Sequence, residues 1–207
     1  MNYNDFLIEI KNIKESNVRP KLLLHSCCGP CSTHVLKLLN EVFDITIFYY
    51  NPNIYPKEEF TKRLIEQQKV VDIINKDIKV IEGYYDYNIY LEQVKGKELL
   101  GEKSLRCYNC YEFRLKETYE YAKNNGFDYY TTTLSISPYK NSDWINEIMS
   151  RYVSDGCKYL YSNFKKEEGY KKSIIYSKEY DLYRQDYCGC EFSEKEHYEM
   201  LKKKSNL

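Results

Sequence analysis

The chain has no excess charge: 31 Lys plus Arg are matched by 31 Asp plus Glu over 207 residues. That excludes a protein that grips nucleic acid by bulk attraction and leaves only a local basic stripe for such contacts. Long apolar runs are also missing. No stretch approaches the roughly 20 apolar residues a membrane helix needs, and Met1 to Lys21 lacks the apolar core of a signal peptide. The expectation is a cytoplasmic protein with no membrane association, in a compartment that keeps thiols reduced. No linker, internal repeat or low-complexity stretch interrupts the sequence. A single domain over residues 1–207 is therefore expected, large enough to bury a real core.

Tyrosine, by contrast, is abundant, at 24 residues. A codon bias that also favours Lys, Asn and Ile explains this more simply than surfaces for stacking bases. Cysteine is more telling. Seven of the eight cysteines fall in three tight clusters: Cys27-Cys28-Gly29-Pro30-Cys31, Cys107-Tyr108-Asn109-Cys110 and Cys188-Gly189-Cys190. Only Cys157 stands apart, most simply a small buried hydrophobe. In a reducing compartment such clusters point to metal binding or catalysis, provided the fold gathers them.

Alternating strand and helix patterns supply a fold that does so. Phe6, Leu7, Ile10 and Ile13 have helical spacing within an N-terminal helix over 2–18, and Lys21 to His25 reads as a buried strand. Helical spacing resumes at Val35, Leu36, Leu38 and Leu39, and a second strand follows from Asp44 to Tyr50. Pro56 to Asn75 reads as a long helix, with Pro56 near its first turn, and Lys79 to Glu82 as a third strand. A short helix within Tyr84 to Gly96 and a longer one from Cys107 to Asn124, closed by Gly126, come next. A strand from Phe127 to Thr133 and helices at Trp144 to Tyr152 and Gly169 to Tyr180 follow. Ser193-x-x-Glu196 resembles a capping box opening a terminal helix over about 193–204. Crossovers of this length imply one α/β domain, a doubly wound parallel sheet with helices on both faces.

Ligands collect at the carboxyl ends of the strands in such a sheet. Cys27, Cys28 and Cys31 fall just there, at the mouth of the next helix, where N–H groups and the helix dipole favour anionic sulfur. Gly29 is expected to free the turn. Cys107 and Cys110 are spaced to face one ion, as in zinc ribbons, thioredoxin-like motifs and iron–sulfur proteins. A four-cysteine zinc site leaves three clustered thiols over, whereas a redox centre has a use for them. Cys188-Gly189-Cys190 reads either as a labile dithiol that relays two electrons or as a turn supplying two metal ligands.

Five ordered motifs resemble those of the cobalamin-independent epoxyqueuosine reductase family, QueH. They are His25-Ser26-Cys27-Cys28-Gly29-Pro30-Cys31-Ser32; Tyr50-Asn51-Pro52-Asn53-Ile54; Arg106-Cys107 through Cys110 with Arg114-Leu115; Thr131-Thr132-Thr133-Leu134 through Ser137-Pro138-Tyr139-Lys140; and Tyr183-Arg184-Gln185 through Tyr187-Cys188-Gly189-Cys190. The resemblance spans about residues 20–193. It implies an adenine-nucleotide alpha-hydrolase-like fold with a cysteine loop in place of the phosphate loop, so neither ATP chemistry nor cobalamin is expected. It implies reduction of epoxyqueuosine at the wobble position of a tRNA to queuosine, with electrons from an unnamed donor. The rival readings are a structural-zinc RNA-binding protein and a thiol–disulfide oxidoreductase.

By the same resemblance Cys27, Cys28, Cys107 and Cys110 are expected to hold a 4Fe-4S cluster, and Cys188 with Cys190 to form a redox-active pair. Cys31 stands where the family also carries Asp, which implies a second, mononuclear iron there. Tyr187, Tyr183 and His25 are the candidate proton donors; His34 and His197 carry no signal. A flipped base needs polar edges and a ring to stack on. Asn51, Asn53, Thr132, Thr133, Ser137 and Gln185 are the candidates for its edge, and Lys140 and Arg184 for phosphates.

Overall fold

Leu22, Leu23 and Leu24 are wholly excluded from solvent. Leu22 and Leu24 join one apolar cluster, Leu23 another. Successive strand side chains point to opposite faces, so both faces of this strand are covered. The computed structural model describes residues 1–205; the last two residues of the expected domain lie outside them. Strands β1 (Lys21–His25), β2 (Asp44–Tyr49), β3 (Lys79–Glu82), β4 (Tyr129–Thr132) and β5 (Lys158–Tyr159) form one sheet in the order β3-β2-β1-β4-β5. Every pairing is parallel.

Helix α1 (Tyr3–Glu15) and helices α2 (Gly29–Leu39) and α3 (Lys57–Ile74) contribute Phe6, Val35, Leu36, Val70 and Val71 to the cluster on one face. After α4 (Tyr87–Val94), helices α5 (Leu105–Asn124) and α6 (Ser142–Ser150) pack Tyr111, Leu115, Ile145, Ile148 and Met149 over the other face. Helix α7 (Gly169–Glu179) packs on α2, and α8 (Glu191–Ser205) ends the described chain.

The strand order reverses between β1 and β4, where His25 pairs with Thr132. Two diverging crossovers leave a crevice at such a point, which is where open α/β sheets take their ligands. The three clusters lie around it.

Several element ends differ from expectation. Strand β5 is only two residues long, too short for a periodic signal. Thr133 leaves β4 to open a single 3-10 turn, Thr133–Ile136, capped by the Thr132 hydroxyl on the Leu134 N–H. Helix α5 starts two residues before Cys107 because Ser104 caps the Arg106 N–H. Helix α8 starts at Glu191, so the expected box at Ser193 does not cap it: the Ser193 hydroxyl instead donates to the Cys190 carbonyl and accepts from the Gly189 N–H. Pro56 sits just before α3 rather than inside it. Asn2 caps α1 with both arms of a capping box, and that helix stops at Glu15 rather than residue 18.

Candidate metal and redox centre

Cys28 is the residue preceding α2, and Cys27 lies between that helix and β1. The first turn of α2 then carries Cys31 back toward them. The sulfurs of Cys27, Cys28 and Cys31 all lie within 4.8 Å of one another. Gly29 has a different job from the one expected. It sits inside the first turn of the helix, and a Cβ there would overlap the Glu66 carbonyl of α3. It lets α2 approach α3 closely and so fixes where the thiols point.

Charge is distributed unevenly over this triad. Hydrogen bonding from Cys28 and Cys31, helped by the cations Lys140 and Arg114, holds the Cys27 thiol well below the usual range despite its burial. Burial and the neighbouring Cys27 push Cys28 up to about 12, and bonding to Cys27 and Cys28 raises Cys31. The triad therefore carries its first negative charge on Cys27. Gln185 donates an amide N–H to Cys28 Sγ at 2.9 Å, and Thr133 Oγ1 lies 3.9 Å from Cys27 Sγ.

Cys107 and Cys110, in the first two turns of α5, line a small cavity together with Cys188 and Cys190. Burial raises Cys107 to about 11 and Cys110 to about 12, with the neighbouring Cys188 adding in both cases. Cys190 is raised by burial and by Cys188. Cys107 packs in the same apolar cluster as Cys27 and Cys28. Cys188 lines this small cavity and also a larger one of about 670 Å³ that holds Cys27 and Cys31. Sulfurs from all three clusters thus meet around one crevice. All eight cysteines are free thiols, and Cys157 lies apart, buried between α6 and β5.

Gly189 bends the third cluster into place. Its φ of +127° is a conformation suited to glycine. Its carbonyl accepts from the Tyr55 N–H at 2.8 Å, and Arg63, held by Glu59 at 2.6 Å, donates to the Cys188 carbonyl at 3.0 Å.

The large cavity is also lined by Ser137, Tyr139, Lys140, Tyr170, Arg184, Gln185 and Tyr187. Its volume suits one small polar ligand. Lys140 faces the sulfurs: although burial disfavours its charge, Cys188 and Cys27 hold its ammonium well above the usual range. Arg184 donates to the Ser177 hydroxyl and lies over the Tyr170 ring.

Other expected residues lie behind this surface. The Asn51 amide donates to the Ser26 carbonyl and its oxygen accepts from Arg114. The Thr132 hydroxyl meets His25 Nδ1 at 2.8 Å. Asn53 lines the small cavity, its Oδ1 without a partner. His25 is buried, its two nitrogens against Thr132 and the Tyr50 carbonyl. Burial and then the Arg114 charge hold it down to about 3, so it is neutral and turned away from the cavity. Tyr183 is tied to Glu59. Of the three candidate proton donors only Tyr187 lines the cavity, and burial keeps its hydroxyl protonated.

Arg63 and the α8 residues His197 and Met200, which line the cavity, have no role in the sequence pattern, and Arg114 enters it only within a family motif. Spacing offered a signal for the two arginines. Arg63 follows Glu59 and Arg114 follows Cys110 by four residues, one helical turn apart on one face. Nothing local marks the α8 residues.

Thiolates are donors suited to iron–sulfur or zinc centres. The Cys27, Cys28 and Cys31 sulfurs, free of disulfides and flanked by the cations Lys140 and Arg114, fit an anionic metal–thiolate centre.

Among solved structures, the fold is similar to a U34-tRNA thiolase, NcsA, from Methanococcus maripaludis with its [4Fe-4S] cluster. The TM-score is 0.55 and the identity 14%, over 92% of this chain and 69% of that one. Among curated proteins, the chain is 39% identical over 204 residues to the epoxyqueuosine reductase QueH of Streptococcus pyogenes, covering 94% of this chain and 79% of that protein. It is 42% identical to the Staphylococcus aureus QueH over 85% of this chain and 76% of the relative. The Thermotoga maritima QueH matches at 34% over 90% and 98% of the two chains. The family model described as epoxyqueuosine reductase QueH matches residues 22–196, and the chain belongs to that family.

Proposed function

We propose that this protein is an oxidoreductase that reduces the epoxide of epoxyqueuosine in a tRNA anticodon loop to the alkene of queuosine. The observation that supports this best is the convergence of all three cysteine clusters on one crevice beside a nucleoside-sized cavity. Removing the epoxide oxygen breaks two C–O bonds, forms one C=C bond and releases water, consuming two electrons and two protons. Oxidation of Cys188 and Cys190 to a disulfide supplies that number of each, and an external reductant of the low-potential electron-carrier class then restores the dithiol.

In this reading Cys27, Cys28, Cys107 and Cys110 hold a 4Fe-4S cluster. When bound, the cluster supplies one-electron transfer and a Lewis-acidic iron. Cys31 shares the triad and lines the cavity, which supports its reading as a ligand to a second, mononuclear iron. Tyr187 lines the cavity, its protonated hydroxyl donating to the Tyr55 carbonyl at 3.4 Å, and is the group that passes a dithiol proton to the departing oxygen. The Lys140 ammonium favours the anion that develops on the departing oxygen. Gln185 and Ser137 offer polar groups to the base, and Tyr170 and Tyr139 offer rings to stack on.

The test is anaerobic reconstitution with iron and sulfide, followed by incubation with epoxyqueuosine-tRNA and a strong reductant. Mass spectrometry should find queuosine. Cys107→Ala should lose the brown colour; Cys188→Ala should keep it and lose turnover. Unchanged epoxyqueuosine with an iron-loaded protein defeats the substrate reading, a colourless zinc protein the redox reading, and a bleached Cys188→Ala the division between ligands and redox pair.

A further inference from the structure

Three arginines are almost wholly buried: Arg63, Arg106 and Arg114. Arg63 pairs with Glu59 at 2.6 Å and Arg106 with Glu196 at 2.7 Å. Among the described residues Arg114 has no carboxylate. One terminal nitrogen donates to Asn51 Oδ1 at 2.7 Å and lies 3.5 Å from His25 Nε2; the other donates to Cys110 Sγ at 3.8 Å. Its Nε has no partner.

A guanidinium stays charged in a protein, and a buried charge left without a counter-charge costs several kcal/mol. Asn51 is neutral, and the His25 imidazole, neutral or protonated, carries no negative charge. Only sulfur remains to balance the charge. Arg114 contacts Cys110 from one turn further along α5, and the electrostatic partners that favour its charge are Cys110, Cys27 and Cys188, one from each cluster. As a mere strut for Asn51 the position would be served as well by a neutral amide. Its charge is explained only by a net-negative centre in front of it.

Resting on the iron–sulfur reading above, we propose that Arg114 is the fixed counter-charge of that centre and sets its reduction potential. Adding an electron makes the sulfur-bound centre more negative, so a fixed cation at contact distance stabilises the reduced form over the oxidised one. Without that cation the centre is harder to reduce.

The experiment is a redox titration of reconstituted full-length protein under nitrogen, followed by visible absorption. Three variants are compared with the parent. Arg114→Gln removes the charge. Arg114→Lys keeps it. Asn51→Asp leaves Arg114 and Cys110 in place and sets a carboxylate against the guanidinium. The expected result is a tenfold or larger loss in the one-electron reduction equilibrium, 59 mV downward, for Arg114→Gln and Asn51→Asp, with Arg114→Lys near the parent. Should Arg114→Gln fail to retain iron, Asn51→Asp carries the measurement. An unmoved potential in an iron-loaded Arg114→Gln or Asn51→Asp overturns the proposal, as does an Arg114→Lys shifted as far as Arg114→Gln. A parent that is redox-active with unmoved variants defeats this inference alone; a parent that is colourless and redox-silent defeats the iron–sulfur reading with it.

Discussion

Gln185 reaches across 157 positions of sequence to place its amide nitrogen 2.9 Å from the Cys28 sulfur. Among the described residues, no other side chain of the segment before α8 hydrogen-bonds a sulfur of the first cysteine cluster. A donor at a sulfur favours its thiolate, and burial otherwise holds Cys28 up at about 12. A hydrogen bond to a charged group contributes about 1.5–3 kcal/mol. Gln185→Ala should therefore lose iron to a chelator about tenfold faster than the parent while unfolding at a similar temperature. Gln185→Glu replaces the donor with a like charge and should be worse than Gln185→Ala. Equal iron-loss rates in all three would remove Gln185 from the site.

The turn at Gly189 is the most constrained point of the third cluster. A Cβ there would come within 2.9 Å of Arg63 Nη1 and 3.1 Å of Ile54 Cγ1, on a backbone at φ +127°. Gly189→Ala therefore meets both strain and collision, a cost of about 2 kcal/mol. In denaturant the unfolding midpoint should fall with an unchanged slope, and turnover should fall further than iron content. A variant with parental stability and turnover would show that the turn tolerates another geometry.

The sequence carried the fold well where local pattern and long-range packing agree. The triple leucine of β1 announces a strand covered on both faces, and the crossovers announce a parallel sheet. What local pattern does not encode is partner choice. The switch point needs β4 on the far side of β1, and no residue near Tyr129 states which strand it joins. At the site, the cysteines were legible because their spacing is chemical. The polar shell was not: Thr132 and Asn51 look like base-binding groups in sequence, yet their polar atoms are taken by His25, Ser26 and Arg114. Such commitments depend on contacts made across 25 to 107 positions.

That same shell makes stability depend on pH. His25 is held down to about 3, first by burial and then by the Arg114 charge, whereas in the unfolded chain it titrates near the ordinary value of about 6.5. As pH falls from 6.5 toward 3, the unfolded chain takes up a proton that the native protein refuses. The His25 contribution is thus complete above about pH 6.5 and is lost progressively below it, by up to about 1.4 kcal/mol per pH unit. His34, lowered by its own burial and by Lys172, acts in the same direction, so the informative quantity is the difference between parent and variant. Between pH 7.5 and 5.5 the parent should lose about 1 kcal/mol more unfolding free energy than His25→Gln. The amide can keep one bond to Thr132 or the Tyr50 carbonyl and does not titrate. Urea unfolding at the two pH values measures this directly. Parallel losses in parent and variant would mean that His25 is protonated in the native protein, which would place a second cation beside Arg114.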